Sequence, residues 1–105
     1  MPKYLFVYHG GGMPETQEER DRVMAAWGAW FQDLGESIVD GGNPTGASKT
    51  VQNGSVADGG GANPASGYSL VNAADMDDAV KKAQGCPILA GGGSVEVAET
   101  FEIPM

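Results

Sequence analysis

The sequence predicts an α+β domain, an antiparallel sheet of four strands with two helices on one face. Three observations carry that expectation. The segment Thr16 to Leu34 places Val23, Trp27, Trp30, Phe31 and Leu34 at helical spacing, so they share a face, while Glu18, Glu19, Asp21, Arg22, Gln32 and Asp33 fall largely off it. Lys3 to His9 alternates Tyr4, Phe6 and Tyr8 with Leu5, Val7 and His9; both sets are mostly apolar, the pattern of a central strand covered on both sides. The other periodic segments follow in the order strand, hairpin, strand, helix, strand, which closes into one sheet with right-handed crossovers.

Each element has its own signals. Gly10 to Gly12 and Met13-Pro14 turn the first strand into the helix, where Thr16 and Glu19 form a capping box and the acidic first turn suits the positive end of the helix dipole. Gly35 supplies the stop. Ser37 to Asp40 is a short strand ended by Gly41-Gly42-Asn43-Pro44. Lys49 to Gln52 and Ser55 to Ala57 flank Asn53-Gly54, a pair suited to the positive φ angles of a type I′ hairpin turn. A glycine-rich loop, Asp58 to Ser66, leads to the strand Gly67 to Val71. Asp75 caps a shorter helix in which Met76, Ala79, Val80 and Ala83 share a face, and Gly85 and Pro87 end it. From Ser94 to Ile103 the residues Val95, Val97, Phe101 and Ile103 share a face, giving the last strand. This is the ferredoxin-like βαββαβ sandwich with an extra β-hairpin. Because the long strands are apolar on both faces, a second copy of the chain is the expected cover for the face without helices.

Residues 1–105 are expected to form one domain, too short for a second core. Fourteen acidic against six basic side chains give a formal charge of −8, and the basic ones are scattered. Phosphate neutralisation supplies most non-specific nucleic-acid affinity, so neither nucleic acid nor an anionic membrane is an expected partner. The lone Cys86 has no cysteine partner and no apolar run reaches membrane-spanning length; with no signal-peptide pattern before the first strand, a cytoplasmic protein is expected.

Over nearly the whole chain, the order and spacing of six segments resemble the YCII-related proteins, in particular their DGPF-domain branch. They are MPKYLFVYHGG, Met24-Ala-Ala-Trp-Gly-Ala-Trp-Phe31, Asp40-Gly-Gly-Asn-Pro44, Ser66-Gly-Tyr-Ser-Leu70, Ala83-Gln-Gly-Cys-Pro-Ile88 and Gly92-Gly-Ser-Val-Glu-Val97. The resemblance implies a ferredoxin-like fold that pairs as a dimeric α+β barrel, and it implies little about activity, since that branch consists mostly of uncharacterised bacterial proteins. Where the branch has Asp-Gly-Pro-Phe, this chain reads Asp58-Gly-Gly-Gly-Ala-Asn-Pro64, keeping Asp-Gly and losing Pro-Phe. The histidine that some YCII-like enzymes carry early in the first helix, paired with an aspartate, is missing from this helix, so that dyad is not carried over.

His9 is the one histidine and stands where a strand meets a loop. It reads either as a general acid or base facing a pocket between sheet and helices, with Asp40, Asp58 or Glu99 as orienting carboxylate, or as a structural histidine bonded to backbone or a carboxylate. With no partner fixed by the sequence, the structural reading is preferred. Asp40 and Asp58, each beside glycines, read more simply as Asx-turn residues. Glu99 shares the apolar face of a regular last strand, where it must be kept neutral or partnered, unless a β-bulge near Ala98 turns it out. Trp27, Trp30 and Phe31 are candidates to line a flat-ligand pocket, although such a stripe more often forms core, and Tyr8, Trp27 and Tyr68 are the candidate ligand-binding residues. The glycine loop before the first helix lacks a P-loop Lys-Ser/Thr and is followed by Glu15, Glu18 and Glu19, which repel an anion. One histidine and one cysteine cannot hold structural zinc; no metal or cofactor is called for, with a carboxylate-rich metal site left open. The surviving functional classes are a cofactor-independent small-molecule enzyme using acid-base chemistry, a non-catalytic ligand-binding module, and a dimeric interaction module.

Overall fold

The computed structural model describes residues 2–11 and 14–103, so the Gly12-Met13 part of the expected glycine turn lies outside the described residues. Strand β1 (Lys3–His9) leads into helix α1 (Gln17–Leu34), followed by β2 (Ile38–Asp40), a hairpin of β3 (Lys49–Gln52) and β4 (Ser55–Asp58), then β5 (Ala65–Asn72), α2 (Met76–Ala83) and β6 (Ser94–Glu99). The main sheet has the order β2-β5-β1-β6 with every neighbouring pair antiparallel, the ferredoxin-like arrangement, and the hairpin forms a separate sheet of two strands.

Pleating separates the side chains of the sheet into two sets. Tyr4, Phe6 and Tyr8 face the helices together with Gly67, Ser69 and Val71 opposite them on β5 and Val95 and Val97 on β6. There they form the core with Trp30, Ala79, Ala83, Cys86 and Ile88. Leu5, Val7 and His9 share the other face with Tyr68 and Leu70 of β5 and Glu96 and Ala98 of β6.

The helix caps follow the sequence. Thr16 Oγ1 accepts from the Glu19 amide at 3.1 Å, and Asp75 Oδ1 accepts from the Asp78 amide at 2.8 Å. On α2 the small residues Ala79 and Ala83 are buried and Met76 and Val80 stay largely exposed. The stripe of α1 is less buried than its spacing predicts. Only Trp30 is fully inside, Trp27, Phe31 and Leu34 are half-buried, and Val23 is exposed.

Two other expectations are corrected. The last strand stops at Glu99, because its partner β1 begins at Lys3 and Thr100 closes the ladder by giving both its amide and its hydroxyl to the Lys3 carbonyl. Among the described residues no strand remains beyond that point to pair with, and Phe101 and Ile103 are exposed. The hairpin turn falls at Asn53-Gly54, but among the described residues positive φ is confined to glycines, with Gly54 at 85°. A negative φ at Asn53 followed by a positive one at Gly54 is the signature of a type II turn, not type I′.

Trp30 stacks on Phe6 with centroids 6.3 Å apart, and its indole N–H donates to the Lys82 carbonyl at 3.1 Å. Trp30→Ala should therefore destabilise the fold by about 3–5 kcal/mol, from lost burial and the cavity left behind. Urea unfolding followed by circular dichroism measures it. A loss under about 1 kcal/mol would show that the ring is not part of the core.

Candidate functional site

Because α1 is sunk into the core only at Trp30, the helix and the sheet enclose a cleft of about 1140 Å³. One wall is aromatic, formed by Tyr8, Trp27, Trp30 and Phe31, with Trp27 edge-on to Tyr8 at a centroid distance of 5.0 Å. The opposite wall is the segment Gly41 to Thr45 with Gly67, and Cys86 to Ile88 border it on a third side. Arg22, Met24 and Asp33 also line the cleft and are exposed, which places them at its mouth.

The Gly41 to Thr45 wall can lie against β5 only because of glycine. A Cβ on Gly42, whose φ is +71°, would stand 1.8 Å from the Tyr68 carbonyl oxygen. Further on, Thr45 Oγ1 donates to the Ala65 carbonyl at 2.8 Å, and the Thr45 amide bonds the Ser66 carbonyl. The wall is thus laced to the start of β5.

Polar side chains in the lining are Tyr8, Asn43, Thr45, Ser66 and Tyr68, besides Arg22 and Asp33 at the mouth, and a hydrogen-bond chain runs behind the cleft. The Tyr8 hydroxyl donates to Ser69 Oγ at 2.8 Å, and Ser69 donates in turn to the Gly41 carbonyl at 2.7 Å. Burial pushes the Tyr8 phenol up to about 12, partly offset by its bond to Ser69, and pushes the Cys86 thiol up to about 11. Both groups stay protonated near neutral pH, so they offer hydrogen bonds and not a base.

The structure gathers the three candidate ligand-binding residues, but not those expected to do acid-base chemistry. Tyr8 and Trp27 are on the cleft wall; Tyr68 borders the cleft where β5 meets Gly42, its strand position being on the sheet face opposite the helices. His9 also lies on that opposite face, not between sheet and helices. Its carboxylate partner is Glu96, with Nε2 3.1 Å from Oε1, and its Nδ1 lies 2.9 Å from the Asn63 carbonyl and 3.3 Å from that of Pro64. The ring thereby ties the glycine-rich loop after β4 to the sheet.

Asp40, Asp58 and Glu99 have other positions. Asp40 accepts from the Gly42 amide at 2.9 Å, an Asx turn at the start of the cleft wall. Asp58 pairs with Lys49 across the hairpin instead of forming such a turn. Glu99 keeps the regular strand alternation with no bulge, opposite Tyr4, and its apparent burial is relieved because it is the exposed last residue of β6. Among the described residues no three histidine, cysteine, aspartate or glutamate side chains converge on a common point. No helix of the described chain is long and apolar enough to cross a membrane.

Sequence reasoning missed Glu96, Ser69 and Gly41. Glu96 would have been found from strand parity once Val7 was known to face it, but the register between β1 and β6 is set by tertiary pairing. Glu96 is 63 % exposed at its side chain, so Glu96→Gln should cost less than about 1 kcal/mol in a denaturant titration, while shifting the ring resonances of the single histidine. A loss above about 2 kcal/mol would instead make the pair a principal support of the loop.

No family model matches the chain, and no curated protein matches it. Among solved structures it is similar to the 5-chloro-2-hydroxyhydroquinone dehydrochlorinase TftG from Burkholderia phenoliruptrix AC1100, determined in complex with 2,5-dihydroxybenzoquinone. The similarity has a TM-score of 0.53 over 93% of each chain, at 20% sequence identity. At that identity the likeness establishes a shared α+β fold, a four-stranded antiparallel sheet carrying two helices.

Proposed function

We propose that the chain binds a small, flat, largely apolar molecule in the cleft between α1 and the sheet, as a YCII-related protein of the DGPF-like branch. The observation that carries this reading is a cleft of about 1140 Å³ walled by Tyr8, Trp27, Trp30 and Phe31, with charged side chains only at its mouth. Binding is favoured over acid-base catalysis because His9 stands on the other side of the sheet and the inner titratable groups, Tyr8 and Cys86, stay protonated. TftG was determined with 2,5-dihydroxybenzoquinone, a flat ring, which supports a flat ligand without assigning this chain an activity.

The test uses the two indole N–H signals of the chain, since both tryptophans line the cleft. Titration with naphthalene should shift both signals saturably, and Trp27→Ala should weaken binding by roughly three- to tenfold, the worth of an aromatic contact. Shifts that miss both indoles, or none at the solubility limit, would refute the reading.

A second proposal concerns the helix-free face. Leu5, Val7, Tyr68, Leu70 and Ala98 lie together there and are only half-buried in the single chain. Covering them with the same face of a second copy removes apolar surface from water at about 25 cal/mol per Å², and makes the chain a homodimer. Light scattering at micromolar concentration should give twice the chain mass, and Val7→Asp should return the monomer. A wild-type monomer would overturn this proposal and leave the cleft reading intact.

A further inference from the structure

The hydrogen-bond chain behind the cleft has a fixed direction. The Gly41 carbonyl can only accept, so the Ser69 proton points to it across 2.7 Å. Ser69 has no second proton, so its oxygen must accept from Tyr8 across 2.8 Å. Ser69 is fully buried, so its hydroxyl has no bulk water to turn to in place of these partners. The single proton of the Tyr8 hydroxyl is therefore already spent, and the phenolic oxygen has only lone-pair capacity left.

Tyr8 borders the cleft beside Trp27. We infer that Tyr8 sets the ligand chemistry of the cleft: it accepts a hydrogen bond from a ligand hydroxyl or N–H and has none to give, so hydroxylated rings are preferred to their O-methyl ethers. The inference rests on the ligand-binding reading above. It adds a polarity rule that the aromatic wall alone does not supply, because a ring and its ether fit the same aromatic surfaces.

The test compares 2-naphthol with 2-methoxynaphthalene on the wild-type chain, Tyr8→Phe and Ser69→Ala, with naphthalene as the ring common to both. Affinities are read by equilibrium dialysis and folding by circular dichroism. The wild-type chain should hold 2-naphthol about five- to tenfold more tightly than the ether, the worth of one hydrogen bond. Tyr8→Phe should bring the two affinities together by weakening 2-naphthol. Ser69→Ala should also narrow the gap, but by a different route: Tyr8 regains a free proton and can donate to the ether, so 2-methoxynaphthalene tightens. Equal binding of both compounds by the wild-type chain would overturn the inference, as would a preference that survives in folded Tyr8→Phe. If naphthalene binds in either case, the cleft reading stands; if none of the three compounds binds, the cleft reading and the inference fall together.

Discussion

Trp30 is the side chain through which α1 is held to the rest of the molecule. It stacks on Phe6 of the central strand and gives its indole proton to the Lys82 carbonyl near the end of α2, so one residue joins α1 to the sheet and to the second helix. No other residue of α1 is fully buried. A helix fixed mainly by one large ring toward its C-terminal end leaves the earlier part of its apolar stripe standing away from the sheet. Val23 and Met24 are exposed there, and the space beneath is the cleft. The apolar surface left uncovered there is a cost to the fold of the chain.

The far wall of the cleft depends on a different constraint, the close approach of backbone to backbone. Gly42 lets the segment after β2 pass over the Tyr68 carbonyl, and the Asp40 side chain holds that turn by bonding the Gly42 amide. The same approach brings the Gly41 carbonyl within reach of Ser69, which in turn orders Tyr8. Position and hydrogen-bond polarity of the Tyr8 hydroxyl thus trace back to a pair of glycines that carry no functional group.

Features written in local spacing were legible in the sequence, and features set by distant partners were not. Thr16 and Asp75 cap their helices, and Asn53-Gly54 turns the hairpin, because each signal acts within a few residues. The end of the last strand was not legible, since alternation continues through Phe101 and Ile103 while the ladder stops where β1 begins. The turn type failed because two residues suited to positive φ permit type I′ without requiring it, and in this exposed hairpin only Gly54 adopts one. Tyr8 and Trp27, singled out from composition and position, line the cleft, whereas the partner of His9 depended on a register across 87 residues of chain.

That register also separates the two faces of the sheet by chemistry. Parity along β1 sends Tyr8 toward the helices and His9, the next residue, to the opposite side. On the helix side the hydroxyl of Tyr8 is buried, protonated and committed to Ser69, a group suited to recognition. On the other side His9 is held at both ring nitrogens, with the Asn63 carbonyl at Nδ1 and the Glu96 carboxylate at Nε2. Its geometry is that of a tie between the loop after β4 and the sheet, on the face that carries Leu5, Val7 and Leu70, while the aromatic cleft opens on the helix side.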